Sequence, residues 1–244
     1  MFFGKVEREV GVVIPFAPLR LTYLGLAIVV LLMALLVAYT AMPESYENRR
    51  DNGVAGSRQF SILLLKQKHF LGGVAAQFLY VSAQVGSGAF FINYVTENLR
   101  SATAQHGAFL LSLALFVFTM GRFISTWLMG RVAPQRLLSN YALLSALLCL
   151  VIIMGLGISS IVALVAMFFF MSLMFPTIFA LAIRGLGGST KRGASILMMS
   201  MVGGAISPVI MGYIADSSTI RNAYVVPLAC FVIIFCYGRF SKHP

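Results

Sequence analysis

The chain has 244 residues, of which 59% are hydrophobic and 10% charged, against about 25% charged in soluble domains. Its 18 Lys and Arg outnumber 7 Asp and Glu, giving a net charge of +11, but the basic residues sit between apolar runs, where lipid headgroups and membrane orientation account for them without nucleic acid. Cys149, Cys230 and Cys236 all lie inside apolar runs, which excludes a disulfide framework and any metal-ligand spacing.

The N-terminus, MFFGKVEREVGVV, breaks its apolar stretch with Lys5, Glu7, Arg8 and Glu9, so it does not read as a cleavable signal peptide. Residues 1–20 form an atypical leading segment, and the first hydrophobic helix, 21–42, can itself direct insertion. Then comes the one long polar stretch, 43–69, which starts at Pro43 and reads as a cytoplasmic linker, partly helical and amphipathic near its end. Six further apolar segments follow at 70–96, 105–130, 137–156, 160–184, 193–215 and 222–240. With 21–42 they make seven candidate spans of about 20 residues each. Such long unbroken runs predict helices and not the short alternating segments of a barrel. The expected fold is an all-α polytopic membrane protein with one helix, a linker and a six-helix bundle over 70–241.

Orientation follows from the basic residues. The links after the first, third and fifth spans, with the C-terminal tail, hold Arg49, Arg50, Arg58, Lys66, Lys68, Arg131, Arg136, Arg184, Lys191, Arg192, Arg239 and Lys242. The other side holds only Lys5, Arg8, Arg20, Arg100 and Arg221. The positive-inside bias therefore places the C-terminus in the cytoplasm.

The second span, AAQFLYVSAQVGSGAFFINYVTE, is the richest in polar groups. At 100° per residue Gln77, Tyr80, Gln84 and Gly88 share one stripe. Two amides and a phenol suit a neutral polyhydroxylated ligand such as a sugar. They equally suit hydrogen bonding between helices. Asn93 falls on the opposite face unless the helix breaks before it. Gly86 and Gly88, on either side of Ser87, make such a break plausible. In the third span Arg122 is the single charge well inside a span. It either snorkels to the cytoplasmic interface or clamps helix-end carbonyls, together with Arg131 of the short basic link GRVAPQR.

From Leu137 to Ile183 there is no charged side chain. As one helix this run would be roughly 70 Å long, more than twice a bilayer core. Gly155, Gly157, Ser159 and Ser160 predict the turn that divides it. Pro176 interrupts the fifth span, and Gly203, Gly204 and Pro208 the sixth. The second and fifth spans open two successive three-helix groups, and interruptions at paired positions of repeats point to a transporter's gate. No Asp, Glu or His lies deep inside a span, so the chain offers no proton relay, no metal site and no cofactor site of its own.

The motifs AQFLYVSAQVGSGAFFINYVTE, MGRFISTWLMGRVAPQRLLSNYALLSALLCL, MSLMFPTIFALAIRGLG and VGGAISPVIMGYIAD, in that order, resemble the carboxyl half of the fucose–proton symporter family of the major facilitator superfamily. The likeness spans about residues 20–240. It implies twelve helices in two bundles, with 21–42 equivalent to the last helix of an absent N-terminal bundle. It also implies uptake of a hexose or deoxyhexose such as fucose, glucose or galactose across a bacterial inner membrane by alternating access. Gln77, Tyr80, Gln84 and Asn93 become the implied sugar-binding residues. Protons would be handled by carboxylates in the absent half. Asn93 stands where fucose-type members tend to carry Arg, and glucose/galactose-type members often show Glu near Gln84, so the chain matches neither subtype. The expectation is a truncated or partial transporter, the alternative being an inactive or regulatory membrane fragment; neither is an enzyme.

Overall fold

The computed structural model describes residues 16–39, 67–99 and 102–240. The leading residues 1–15 and the linker 43–66, with its basic and acidic groups, lie outside the described residues. So do Arg100 and Lys242. Among the described residues every regular element is helical.

The chain divides into two units, Met1–Asn52 and Gly53–Pro244. The first contains α1, Phe16–Tyr39. Its 24 residues make a helix of about 36 Å, and its stretch Tyr23–Leu36 is apolar on every side, as a lipid-facing helix requires.

The second unit holds α2 (Lys68–Ala89), α3 (Phe91–Asn98), α4 (Ala104–Met129), α5 (Pro134–Met154), α6 (Ile158–Met171), α7 (Met174–Ile183), α8 (Thr190–Met199), α9 (Gly203–Ser217), α10 (Ile220–Ala223) and α11 (Val225–Phe240). Five stretches are long and apolar enough to cross a bilayer: Ala104–Met129, Pro134–Met154, Ile158–Ile183, Gly187–Ser217 and Ile220–Phe240. The pair α2 and α3, bent by 48°, forms a sixth. These six match the sequence segments after the linker to within a few residues.

Local chemistry explains the boundaries. Thr103 caps α4 in a reciprocal box with His106. Pro134 opens α5 at a position where its missing N–H costs nothing. The charge-free run turns where glycine permits: Gly155 ends α5 at φ 65° and Gly157 precedes α6 at φ 61°. Ser160 closes that turn. Its Oγ accepts from the Leu156 N–H at 2.7 Å and donates to the Val151 carbonyl at 3.0 Å.

Packing within the bundle has an internal symmetry. Take the first group as α2/α3, α4 and α5, and the second as α6/α7, the span Gly187–Ser217, and α10/α11. The α2 helix packs on α9, and its counterpart α6 packs on α4. The α5 helix packs on α6, and its counterpart α11 packs on α2. The pair α5·α11 maps onto itself, and so, taken as whole spans, does the contact of α2/α3 with α6/α7. Exchanging the groups therefore leaves the principal contacts unchanged, as a two-fold repeat requires. The spans run in alternating directions, so the repeat is an inverted one.

The buried core runs between these helices and includes Tyr80, Phe91, Tyr94, Leu164, Met167, Met171, Tyr224 and Phe231. Tyr94 sets its ring edge-on to Tyr224 at 5.1 Å and donates its hydroxyl to the Ile152 carbonyl at 2.6 Å. A membrane interior satisfies polar atoms in this way, because lipid offers no alternative partner.

Candidate functional site: two broken helices and the polar face of α2

Each leading span is broken in its second half. The first break lies at Phe90 (φ −95°, ψ 3°), just past the Gly86–Gly88 stretch that the sequence marks. The Phe90 N–H reaches both the Gly86 and the Gly88 carbonyls. The two glycines differ in what they do. A Cβ on Gly86 would collide with Ser207 Oγ and lie 2.6 Å from Met211 Sδ, so Gly86 exists to let α9 approach. A Cβ on Gly88 would meet nothing within 4 Å. Its contribution is the low helix propensity beside the bend.

The second break separates α6 from α7 at Ser172 and Leu173. Pro176 has no N–H to offer the carbonyl four residues before it, which is that of Ser172. Other groups take the exposed carbonyls. The Tyr80 hydroxyl donates to the Met171 carbonyl at 2.9 Å, and Arg122 Nε donates to the Ser172 carbonyl at 3.4 Å. Gly121 makes the second contact reachable. A Cβ there would sit 2.9 Å from both Phe169 Cδ2 and Ser172 Oγ, so only glycine brings α4 this close to the break. Arg122 also lies 5.3 Å from the Phe118 ring centre. Arg131 does not join it: its guanidinium stacks at 4.2 Å over Trp127, a turn back in the chain.

The polar stripe on α2 divides along its length. Gln77 and Tyr80 are buried on the face that meets the rest of the bundle. Gln77 has neither amide atom in a hydrogen bond. Tyr80 holds the α6/α7 break, the interhelical role that its sequence position allows. Gln84 and Gly88 are half-buried and flank the exposed positions Val85 and Ala89. Asn93 is exposed on α3, beyond the 48° bend that the sequence names as the condition for its joining the stripe. Thus Gln84 and Asn93 are open, whereas Gln77 and Tyr80 are covered in this conformation.

The sixth span carries its glycines at a crossing. A Cβ on Gly203 would strike the Phe78 carbonyl oxygen, and one on Gly204 would lie 2.9 Å from Val85 Cγ2. Pro208 sits one turn further on, inside α9. Gly203, Gly204 and Gly86 therefore form one close contact between α2 and α9. Besides Gln77, the hydroxyls of Ser87, Ser172 and Ser207 are buried without a partner. These serines escape sequence reasoning, because serine is unremarkable among small residues in a membrane helix. Pro176 bears only on the Ser172 carbonyl, four residues before it, and says nothing of the Ser172 hydroxyl.

Glu97 and Asp216 are exposed near the ends of their spans, and near the start of α2 His69 Nε2 donates to the Leu181 carbonyl at 2.9 Å. Among the described residues no group of three His, Cys, Asp or Glu could hold a metal ion.

No protein-family model matches the chain. It is homologous over 90% of its length to the L-fucose-proton symporter of Escherichia coli strain K12, with 36% identity over 222 residues. A putative glucose/galactose transporter of Helicobacter pylori is 34% identical over 224 residues, and a glucose/galactose transporter of Brucella abortus 30% identical over 224. Two crystal structures of the E. coli fucose:proton symporter, one of them described as a major facilitator superfamily transporter in the outward conformation, superpose with TM-score 0.82 at 35% identity, covering 92% of this chain. The chain spans about half the length of these relatives: 51% of the fucose symporter and 55% of its crystallised chain.

Proposed function

We propose that this chain is the carboxyl-terminal half of a proton-coupled sugar transporter of the fucose-symporter kind, working by alternating access in a bacterial inner membrane with its C-terminus in the cytoplasm. The observation that carries this is the homology over 90% of the chain to symporters of which it covers about half. A six-helix bundle built as an inverted repeat, with a broken helix opening each half-repeat, is the expected architecture of one side of such a carrier.

The substrate is a neutral hexose or deoxyhexose. Gln84 and Asn93 are its accessible amide contacts. Tyr80 and Gln77 become contacts when the α6/α7 break rearranges. Gly86, Gly88, Pro176, Gly203, Gly204 and Pro208 form the moving seams, and Arg122 holds the Ser172 carbonyl of the second break in the conformation seen here. Arg131 fixes the adjacent link through Trp127. The described spans place no carboxylate deep in the membrane, so proton coupling falls to a half outside this chain. A second reading, an inactive or regulatory membrane fragment, is favoured by that same lack of a titratable group.

Radiolabelled hexose uptake into energised vesicles separates the two. Vesicles holding this chain alone show none. Co-expression with the first five helices of a homologous symporter restores proton-driven uptake. Proton-driven uptake by the chain alone would refute its being half a carrier, and failure of every such pairing would favour the fragment.

A further inference from the structure

A cavity lies away from the α2 stripe, at the end of the bundle where α5 begins and α11 stops. It measures about 620 Å³ and is lined by Gln135, Arg136 and Asn140 from α5 and by Arg239 and Phe240 from α11. That volume suits a small polar headgroup. We propose that this cavity binds the phosphate group of an anionic membrane phospholipid, with Arg136 and Arg239 as its two cationic walls. The proposal goes beyond the transport reading and does not depend on which sugar is carried.

The sequence places the two arginines 103 positions apart, and packing brings them to one mouth. Gly238 is the reason. A Cβ on it would lie 2.6 Å from Ser139 Oγ and 3.2 Å from the Ser139 nitrogen, so the two helices touch there without intervening side chains. Ser139 is buried and spends its hydroxyl on the Gln135 carbonyl at 3.0 Å, leaving Gln135, Arg136 and Asn140 around the opening. Arg239 follows Gly238 directly. Both guanidiniums are exposed.

Charge favours an anion. Glu97 and Asp216 are the acidic residues among those described, and both lie at the opposite ends of their spans from this cavity. No described carboxylate therefore offsets the arginine pair. Helix dipoles do not decide the matter: the start of α5 and the end of α11 meet here and oppose each other. Arginine's planar fork also reaches two oxygens of a phosphate at once through two parallel donors.

A soluble phosphate ester shares this headgroup chemistry, but the surroundings favour a lipid. The stripe that carries Arg136 and Asn140 continues at helical spacing through Leu143, Leu147 and Leu150, all exposed. From Arg239, α11 continues through the exposed Ile233 and Val232. Headgroup ligands at the membrane edge thus lead into an apolar track long enough for acyl chains. Basic pockets between membrane helices on the cytoplasmic side recognise anionic lipids by such an arrangement.

Native mass spectrometry of the purified chain tests this, using phosphatidylglycerol and phosphatidylcholine as probes and glycerol 3-phosphate as the soluble arm. Phosphatidylglycerol is expected to be retained about tenfold more than phosphatidylcholine. The double variant R136A/R239A should lose that preference, whereas Arg184→Ala, on another link outside the cavity, should keep it. Equal retention of the two lipids would overturn the proposal. So would an equal loss in Arg184→Ala, which would mean diffuse surface charge, or release of the lipid by millimolar glycerol 3-phosphate, which would mean a soluble anion site. If the double variant does not fold, the comparisons on the unaltered chain still decide between these results.

Discussion

Replacing Gly203 with alanine is a stringent test of how this bundle is held. Two effects oppose each other. Alanine gains roughly 0.5–1 kcal/mol over glycine inside a helix. Against this, the new Cβ would collide with the Phe78 carbonyl oxygen and lie 3.1 Å from Phe78 Cδ2 and 3.2 Å from its carbonyl carbon. Backbone atoms cannot rotate away, so α9 must move off α2, and overpacking of this kind costs about 1–3 kcal/mol. The net result is a loss of up to about 2.5 kcal/mol, or up to roughly 10 °C in apparent Tm for a chain of this size. Gly88→Ala meets no atom within 4 Å and should instead gain, by roughly 1–4 °C. Gly86→Ala falls between them, since its obstacles, Ser207 Oγ and Met211 Sδ, are side-chain ends that can turn. Adding Ser207→Ala should recover part of the Gly86→Ala loss. Thermal melts of the four variants in one detergent order them. If Gly88→Ala is as damaging as Gly203→Ala, the glycines act through flexibility throughout and the close α2–α9 contact is not what they serve.

Tyr80→Phe removes the bond to the Met171 carbonyl and should lower stability by about 0.6 kcal/mol and by no more than about 1.7 kcal/mol, the average and the maximum for hydrogen bonds between membrane helices. In a reconstituted transporter, a rise in KM alone, with the melt unchanged, would show that Tyr80 serves the sugar and not the break. Gln77→Leu removes a buried amide with no partner and should stabilise by about 1–3 kcal/mol in the same melts; a destabilised variant would mean that the amide is satisfied by something inside the bundle. Ser160→Ala deletes two hydrogen bonds that close the Gly155–Gly157 turn and should cost about 1–2 kcal/mol, whereas Ser159→Ala at the exposed neighbouring position should be close to neutral.

What the sequence determined by itself was everything that depends on local backbone chemistry in lipid. Every peptide group inside a bilayer must be satisfied within its own helix, so length and apolar content locate the spans. The turn at Gly155 and Gly157 followed from a run too long for one crossing. Which way each helix faces was decided only in the folded bundle. Periodicity put Gln77, Tyr80 and Gln84 on one stripe but gave no sign that the first two are covered and the third open. Lipid is as apolar as the protein core, so a membrane helix shows no polar face to mark its outside. The same blindness hid the difference between Gly86, pressed against α9, and Gly88, facing empty space. It also hid the partner of Arg122, since reaching Ser172 depends on Gly121 fitting against Phe169. The bend at Phe90 brought Asn93 within the question, and the crossing at Gly238 brought Arg136 and Arg239 to one cavity from 103 residues apart. Contacts of that range are set by how close two backbones can approach, and only the tertiary structure fixes that distance.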